Sequence, residues 1–254
     1  MTAEAGPYRP RAAPPGLADL IVCRWDATMS GLISMVPDGC VEVMWLEGRG
    51  LVVCGPETQA WSAEHARPVQ ASGVRLRPGV GRQVLGLPVG ELRDQRVALV
   101  DLLPRDVTER TEEHLLGADP DLRSDALVTL VRDLSDGSRP GPGLPRLTRA
   151  IESADGMSAL ADEVGFSTRQ LHRRSLDLFG YGPATLRRIL RVQRFLALHR
   201  RAPAESMARL AAAARYYDQP HLVRDVRELT GLTPTELLAS DSASWHGEGE
   251  VVEV

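Results

Sequence analysis

Glycine and proline divide the first hundred residues into short apolar runs: LIVCRW at 20–25, CVEVMWL at 40–46, GLVVC at 50–54 and GVRLR at 73–77. Each run has the length of a β-strand. In VEVMW, Val41 and Val43 fall on one face and Glu42 and Met44 on the other, as in a half-buried barrel strand. From Arg105 to Leu134 the period changes, and Leu122, Ala126, Leu127, Leu130, Val131 and Leu134 recur at helical spacing, so two amphipathic helices follow the strands. The stretch SDGSRPGPGLP at 135–145 carries no apolar period and reads as a linker. Beyond it the pattern is helical, with starts signed by Ser167-Thr-Arg-Gln170, by Asp218 with Pro220, and by Thr233-Pro-Thr-Glu236.

The expected fold class is therefore α+β overall. A β-rich, barrel-like domain with two helices spans 1–134, a linker 135–145, an all-α domain 146–239 and a disordered acidic tail 240–254, which holds Trp245. A weak repeat lies inside the all-α segment: LADEVGFSTRQLHRRS at 160–175 aligns with LAAAARYYDQPHLVRDV at 210–226. Each copy runs from a short helix through a tight turn to a second helix with a basic polar face, which is the helix-turn-helix arrangement. Leu171, Ser175 and Leu178 face inward in the first copy, and Leu222, Val226 and Leu229 in the second. Residues 183–199 form a long connecting helix, with Leu186, Ile189, Leu190, Gln193, Leu196 and Ala197 on one stripe and Arg187, Arg191 and Arg194 on another.

Charge sharpens this division. The 254 residues carry a net charge of −4 with no lysine, yet residues 146–238 hold 15 Arg against 10 acidic side chains, while residues 1–145 hold 15 Arg against 20. A basic block in an acidic chain is the footprint of a nucleic-acid-binding module joined to a domain with another task. No apolar run approaches the ~18 residues of a membrane span, and the N-terminus has no signal-peptide core, so the expected location is the cytoplasm with no membrane partner.

The helical pieces LADEVGFSTRQLHRR, FGYGPATLRRILRVQRFLAL and YYDQPHLVRDVRELTGLTPTELL resemble, in order and spacing, the DNA-binding domain of AraC/XylS-type transcription regulators. The upstream motifs VCRW, VPDGCVEVMW, VCGPET, GVRLRPG and LGLPVGELRD resemble the N-terminal domain of one branch of that family. The resemblance implies a sequence-specific transcription regulator, not an enzyme, whose N-terminal domain senses a small effector. By position, base contacts carry over to Arg169, His172 and Arg173 in the first unit and to Pro220, His221 and Arg224 in the second. Arginine can grip guanine with both arms, for roughly 1–3 kcal/mol of discrimination. Thr168, Gln219, Arg187, Arg188 and Arg191 are the phosphate candidates, which fix register without reading sequence. Solvated or ion-paired roles compete for every one of these arginines, and a first-turn helix-forming role competes for Pro220.

Two departures from the family pattern carry expectations. Arg174-Ser175 replaces an apolar residue followed by Phe, leaving a gap worth ~2–4 kcal/mol if nothing fills it. Arg215 stands at a turn where the family has Gly, so a positive φ there costs about 1 kcal/mol.

In the N-terminal half, Asp38, Cys40, Glu42, Trp45, Arg75 and Arg77 sit in the resembling motifs and are the effector-pocket candidates, with Asp38-Gly39 equally explained as a hairpin turn. Cys23, Cys40 and Cys54 are an odd number of thiols in a chain large enough to bury a core; with His65 they could form a metal site, Cys40 could be a redox sensor, and buried structural cysteine is the default. The alternative function is a Cys-dependent enzyme or thiol or metal sensor fused to a DNA-binding domain; a DNA-binding scaffold without a ligand is a third. No G-x-S-x-G or H-E-x-x-H occurs, and GVGRQVLG at 79–86 lacks the G-x-G-x-x-G spacing, so neither metal nor cofactor is expected. The expected partners are double-stranded DNA, a small-molecule effector, a second copy of the chain through residues 105–134, and RNA polymerase if the protein activates. Helices that merely cap the β-domain explain residues 105–134 equally well.

Overall fold

The computed structural model describes residues 8–136, 139–154 and 156–240. The tail read beyond Ser240, with Trp245, and residues 137–138 of the linker lie outside the described residues.

Six strands, β1 (Arg9–Ala12), β2 (Ile21–Met35), β3 (Val41–Leu46), β4 (Gly50–Cys54), β5 (Trp61–Leu76) and β6 (Arg96–Ala98), form one antiparallel sheet in the order β1-β2-β5-β3-β4-β6. The central pair β2 and β5 are 15 and 16 residues long, well beyond the apolar runs that announce them. Register shifts at Ile21/Cys23 and Met29/Gly31 interrupt their alternation, so no single period runs the length of either strand.

The two faces of the sheet have different fates. Val41, Val43 and Trp45 join Leu51, Val53, Val74 and Leu76 on the face that packs against α2 (Arg105–Gly117) and α3 (Arg123–Leu134), burying Leu115, Leu127, Val128, Leu130 and Val131. The apolar stripe of residues 105–134 thus covers the protein's own sheet. Buried Asp26 on β2 accepts from the Ser124 backbone NH at 2.9 Å and from its Oγ at 2.7 Å, tying the first turn of α3 to the sheet. Trp25, Ala27, Met29, Ile33, Met44, Cys54 and Ala71 occupy the opposite face. That face opens into a cleft. A short helix, α1 (Gly81–Leu85), and a 3-10 turn at Val89–Leu92 follow β5.

Among the described residues the C-terminal half is seven helices: α4 (Gly143–Ser153), α5 (Met157–Val164), α6 (Thr168–Phe179), α7 (Pro183–Arg201), α8 (Met207–Ala213), α9 (Gln219–Thr230) and α10 (Pro234–Ala239). All three sequence-signed starts are present: capping boxes at Ser167/Gln170 and Thr233/Glu236, and Asp218 accepting from the His221 backbone NH. Helix α7 runs through the middle of the core, with Leu186, Ile189, Val192, Phe195 and Leu196 at most 1% exposed. The pairs α5–α6 and α8–α9 flank it as two helix-turn-helix units. Among the described residues no helix is long and apolar enough to cross a membrane.

Candidate functional site

The two units share one backbone solution. In the first, Gly165 at φ +71° ends α5, its NH bonding Asp162 O and the Phe166 NH bonding Ala161 O. Fifty residues on, Arg215 takes φ +65° in the same bonds, its NH to Ala212 O and the Tyr216 NH to Ala211 O. A residue with a Cβ is held in the left-handed conformation because Tyr216 and Ala214 anchor the turn in the core. The expected gap at Ser175 is closed differently: the fully buried hydroxyl donates to Tyr181 O at 2.7 Å, and Phe179 and Tyr181 fill the core beside it. Arg174 lies over the Phe166 ring at 4.5 Å.

Helix α6 buries Leu171, Ser175 and Phe179 and leaves Thr168, Arg169, His172 and Arg173 exposed. Helix α9 buries Leu222, Val226 and Leu229 and leaves Gln219, Pro220 and Arg224 exposed, together with Arg227, which the sequence reading passed over. Arg227 follows Arg224 at i+3, and that spacing on the same helix was the signal for it. His221 is different. It is half-buried, its ring edge-on to Tyr216 at 5.3 Å and its Nε2 3.3 Å from Arg191.

Arg187, Arg188 and Arg191, read from the sequence as phosphate candidates, are partly buried here and engaged with other groups of the protein. Because α7 is packed by α4, α8 and α9, its arginines find partners inside the protein. Arg187 Nη1 donates to Ala154 O at 2.9 Å. Arg188 pairs with Glu228 and lies 3.5 Å from Asp225. Arg191 pairs with Asp225 at 2.7 Å, its guanidinium 4.9 Å from the Tyr216 ring centre. Asp225 is only 4% exposed and takes both charges, so these contacts fix α9 against α7.

In the N-terminal domain the cleft, which is open to solvent, has an apolar wall of Trp25, Met29, Ile33, Met44 and Trp61 and a polar end of Asp38, Glu42 and Arg75. Opposite charges meet across the β3–β5 register at Glu42 and Arg75. Arg75 Nε lies 3.3 Å from Asp38 and 3.5 Å from Glu42, and Trp25 Nε1 donates to Glu42 at 2.6 Å. Arg75 is 5% exposed, and its Nη2 has no hydrogen-bond partner. Burial pushes the Glu42 carboxyl up, against the pull of Arg75 and the Trp25 hydrogen bond. Burial works against the charge of Arg75 too, but Glu42 and Asp38 hold it well above its ordinary range.

Of the six pocket candidates, Asp38, Cys40, Glu42 and Arg75 line this cleft and Trp45 and Arg77 do not. Trp45 shares the parity of Val41 and Val43 and packs on the helix side, under the Arg123 guanidinium at 4.8 Å. Arg77 follows the last residue of β5 and turns back to donate to Ala18 O. Asp38-Gly39 is not a hairpin turn, because β5 lies between β2 and β3 in the sheet; Asp38 Oδ1 accepts from the Cys40 NH at 2.9 Å while Oδ2 faces Arg75. The thiols make a poor nucleophile or metal site. Burial raises Cys23, Cys40 and Cys54 alike, whereas a reactive cysteine needs a lowered pKa, and no cluster of metal-ligating side chains occurs among the described residues.

The segments that wall the cleft also touch the helical domain. Pro37 O accepts from Gln193 Nε2 on α7 at 2.8 Å, Val36 packs into the helical core, and a Cβ on Gly39 would stand 3.2 Å from Leu186 and 3.5 Å from the Tyr181 hydroxyl. In the 55–61 segment, Pro56 sits against Gly180 so closely that a Cβ there would approach it to 2.5 Å, and Ala60 NH donates to Leu229 O on α9 at 2.6 Å. Arg82 pairs with Asp177, and Gly90 lies against the Leu176 carbonyl near the end of α6. The N-terminal domain therefore holds both recognition helices near their C-terminal ends, and their exposed N-terminal residues stay clear of it.

A helix-turn-helix domain family matches residues 160–240, and a domain of unknown function, DUF6597, matches residues 9–98. No curated protein matches the chain. Among solved structures, ToxT from Vibrio cholerae O395 is similar over 85% of this chain and 96% of its own at 8% identity, with a TM-score of 0.46. ToxT from strain SCE256 with bound unsaturated fatty acid is similar over 85% of this chain and 93% of its own at 10% identity, with a TM-score of 0.44. With its paired units and basic recognition helices, the C-terminal half is a helix-turn-helix domain of the AraC type, joined in this DNA-binding regulator to a DUF6597 domain.

Proposed function

We propose that a single chain reads two successive major-groove segments of an asymmetric DNA site in the cytoplasm, and that a small molecule in the N-terminal cleft adjusts how the two units are held. The carrying observation is the pair of helices α6 and α9, each buried on one face, arginine-bearing on the other, and joined through α7. Arg169 and Arg173 on α6 and Arg224 on α9 read bases, with His172 beside them. Pro220 starts its helix, and half-buried His221 supports the Arg191–Asp225 pair. Thr168 and Gln219, at the helix N-termini where backbone NH groups point outward, contact phosphates. Arg188 and Arg191 position α9, and Arg187 holds the end of α4, without touching DNA. The raised thiols favour this reading over cysteine-based catalysis.

Selection of bound sequences from a random DNA pool by the full chain tests the reading. The expected product is a motif of two blocks about one helical turn apart (~34 Å). Arg173→Ala is expected to relax one block and Arg224→Ala the other, each costing roughly 1–3 kcal/mol against the selected site. A single block, or binding that salt abolishes equally for selected and scrambled DNA, contradicts it.

A further inference from the structure

We propose that the cleft is built for an organic cation, an amine or quaternary ammonium group carried on an apolar body, a proposal that rests on the effector reading above. The lining holds the carboxylates Asp38 and Glu42 against one guanidinium, Arg75; a third lining carboxyl, Glu57, is paired with Arg96, which is not part of the lining. Arg75 is already shared between Asp38 and Glu42, so an anionic ligand would enter beside two carboxylates competing for the same charge. Glu57 pairs with Arg96, whose guanidinium lies over the Trp61 ring at 3.6 Å; the tryptophan at the cleft wall thus already accepts a cation on one face. Met29, Met35 and Met44 add polarizable, adaptable walls suited to a shaped apolar body. His65 and the thiols of Cys40 and Cys54 complete the titratable lining and contribute no fixed positive charge.

A second, separate observation points to a ligand. Arg75 lines the cleft, and its buried Nη2 has no hydrogen-bond partner among the described residues. A hydroxyl, ether or carbonyl oxygen on the cationic molecule would satisfy it without adding negative charge. The field of the cleft agrees with this sign. Burial, with Asp38 and Glu42 adding to it, pushes Glu57 up to about 8 against the pull of Arg96, and a bound cation would relieve that cost.

The test titrates the full chain at neutral pH with three probes of one shape, 4-phenylbutylamine, 4-phenylbutanol and 4-phenylbutyrate, followed by calorimetry and tryptophan fluorescence. The amine is expected to bind about tenfold more tightly than the alcohol, and the carboxylate most weakly. Glu42→Gln, which keeps an acceptor for Trp25 Nε1, is expected to reduce the amine's advantage to about threefold or less. Ile33→Trp, which fills the cleft, is expected to abolish amine binding. A carboxylate as tight as the amine, an alcohol equal to it, no binding by any probe, or amine binding that survives Ile33→Trp would each overturn the proposal. The regulatory reading fails separately. If the amine binds as expected but neither it nor Ile33→Trp changes affinity for the selected DNA, the ligand class stands and regulation by the cleft falls. If Ile33→Trp changes DNA affinity while no probe binds, the reverse holds.

Discussion

Cys54 Sγ lies 3.4 Å from Met44 Sδ on the cleft side of the sheet, and burial pushes its thiol up to about 12; Cys40 and Cys23 are raised for the same first reason. Folding therefore suppresses ionisation that the unfolded chain undergoes near its ordinary value of 9.0. The sign follows from linkage: an acid whose folded pKa is raised contributes stability that is complete below its unfolded pKa and is lost as pH climbs through the folded one. Denaturant melts should show stability falling from pH 9 toward pH 12, with the fall reduced by Cys54→Ser relative to its own neutral-pH value. At about pH 8 a thiol reagent should find Cys40 and Cys54 unreactive in the native chain and all three thiols in denaturant. Fast native labelling of either buried cysteine would instead favour the thiol-sensor alternative.

At the scale of elements, the second unit keeps the turn of the first although Arg215 replaces the glycine, with φ +65° against +71° and matching hydrogen bonds. Arg215→Gly should stabilise the chain by about 0.5–1 kcal/mol in chemical denaturation, the strain relieved less the extra unfolded-state freedom of glycine. No change would mean strain no larger than that glycine cost, and a loss of about 0.5–1 kcal/mol would mean that the turn carries none. This turn was legible beforehand, as were the starts at Ser167, Asp218 and Thr233, because caps and turns depend on residues within three or four positions of one another. The long strands were not. Beyond Trp25 the chain reads DATMSGLISM, small and polar with Leu32 71% exposed, and pairing with β5 rather than an apolar period makes it a strand. The pocket was half legible for a related reason: the alternation in VEVMW assigns Glu42 and Met44 to one face, and applying it strictly would have removed Trp45. Trp25 and Met29 could not be found that way, since they reach the pattern of β3 only through β5, which pairs between the two strands, and Trp61 lies beyond the register shift at Met29/Gly31. The internal pairing of Arg187, Arg188 and Arg191 was equally hidden, because their partners Ala154, Asp225 and Glu228 come from other segments of the chain.

For the whole molecule, the consequential feature is that residues 36–40 and 55–61 line the cleft on one side and touch Gln193, Tyr181, Gly180 and Leu229 on the other. Two recognition helices on flexible mounts would read two blocks independently. On the proposed reading, helices held by one frame take the two blocks as a unit, and affinity for the pair gains from the fixed geometry. The frame can be tested without knowing the effector. Gly90, whose added Cβ would stand 3.1 Å from the Leu176 carbonyl, has no positive φ to confuse the result, so Gly90→Leu pushes the N-terminal domain off the end of α6 without straining its own backbone. The most direct measurement is the affinity of parent and Gly90→Leu chains for the selected two-block DNA and for each block alone. The account predicts a loss of about tenfold on the two-block site with single-block affinities unchanged. An unchanged two-block affinity in a Gly90→Leu chain that folds as the parent does would contradict it.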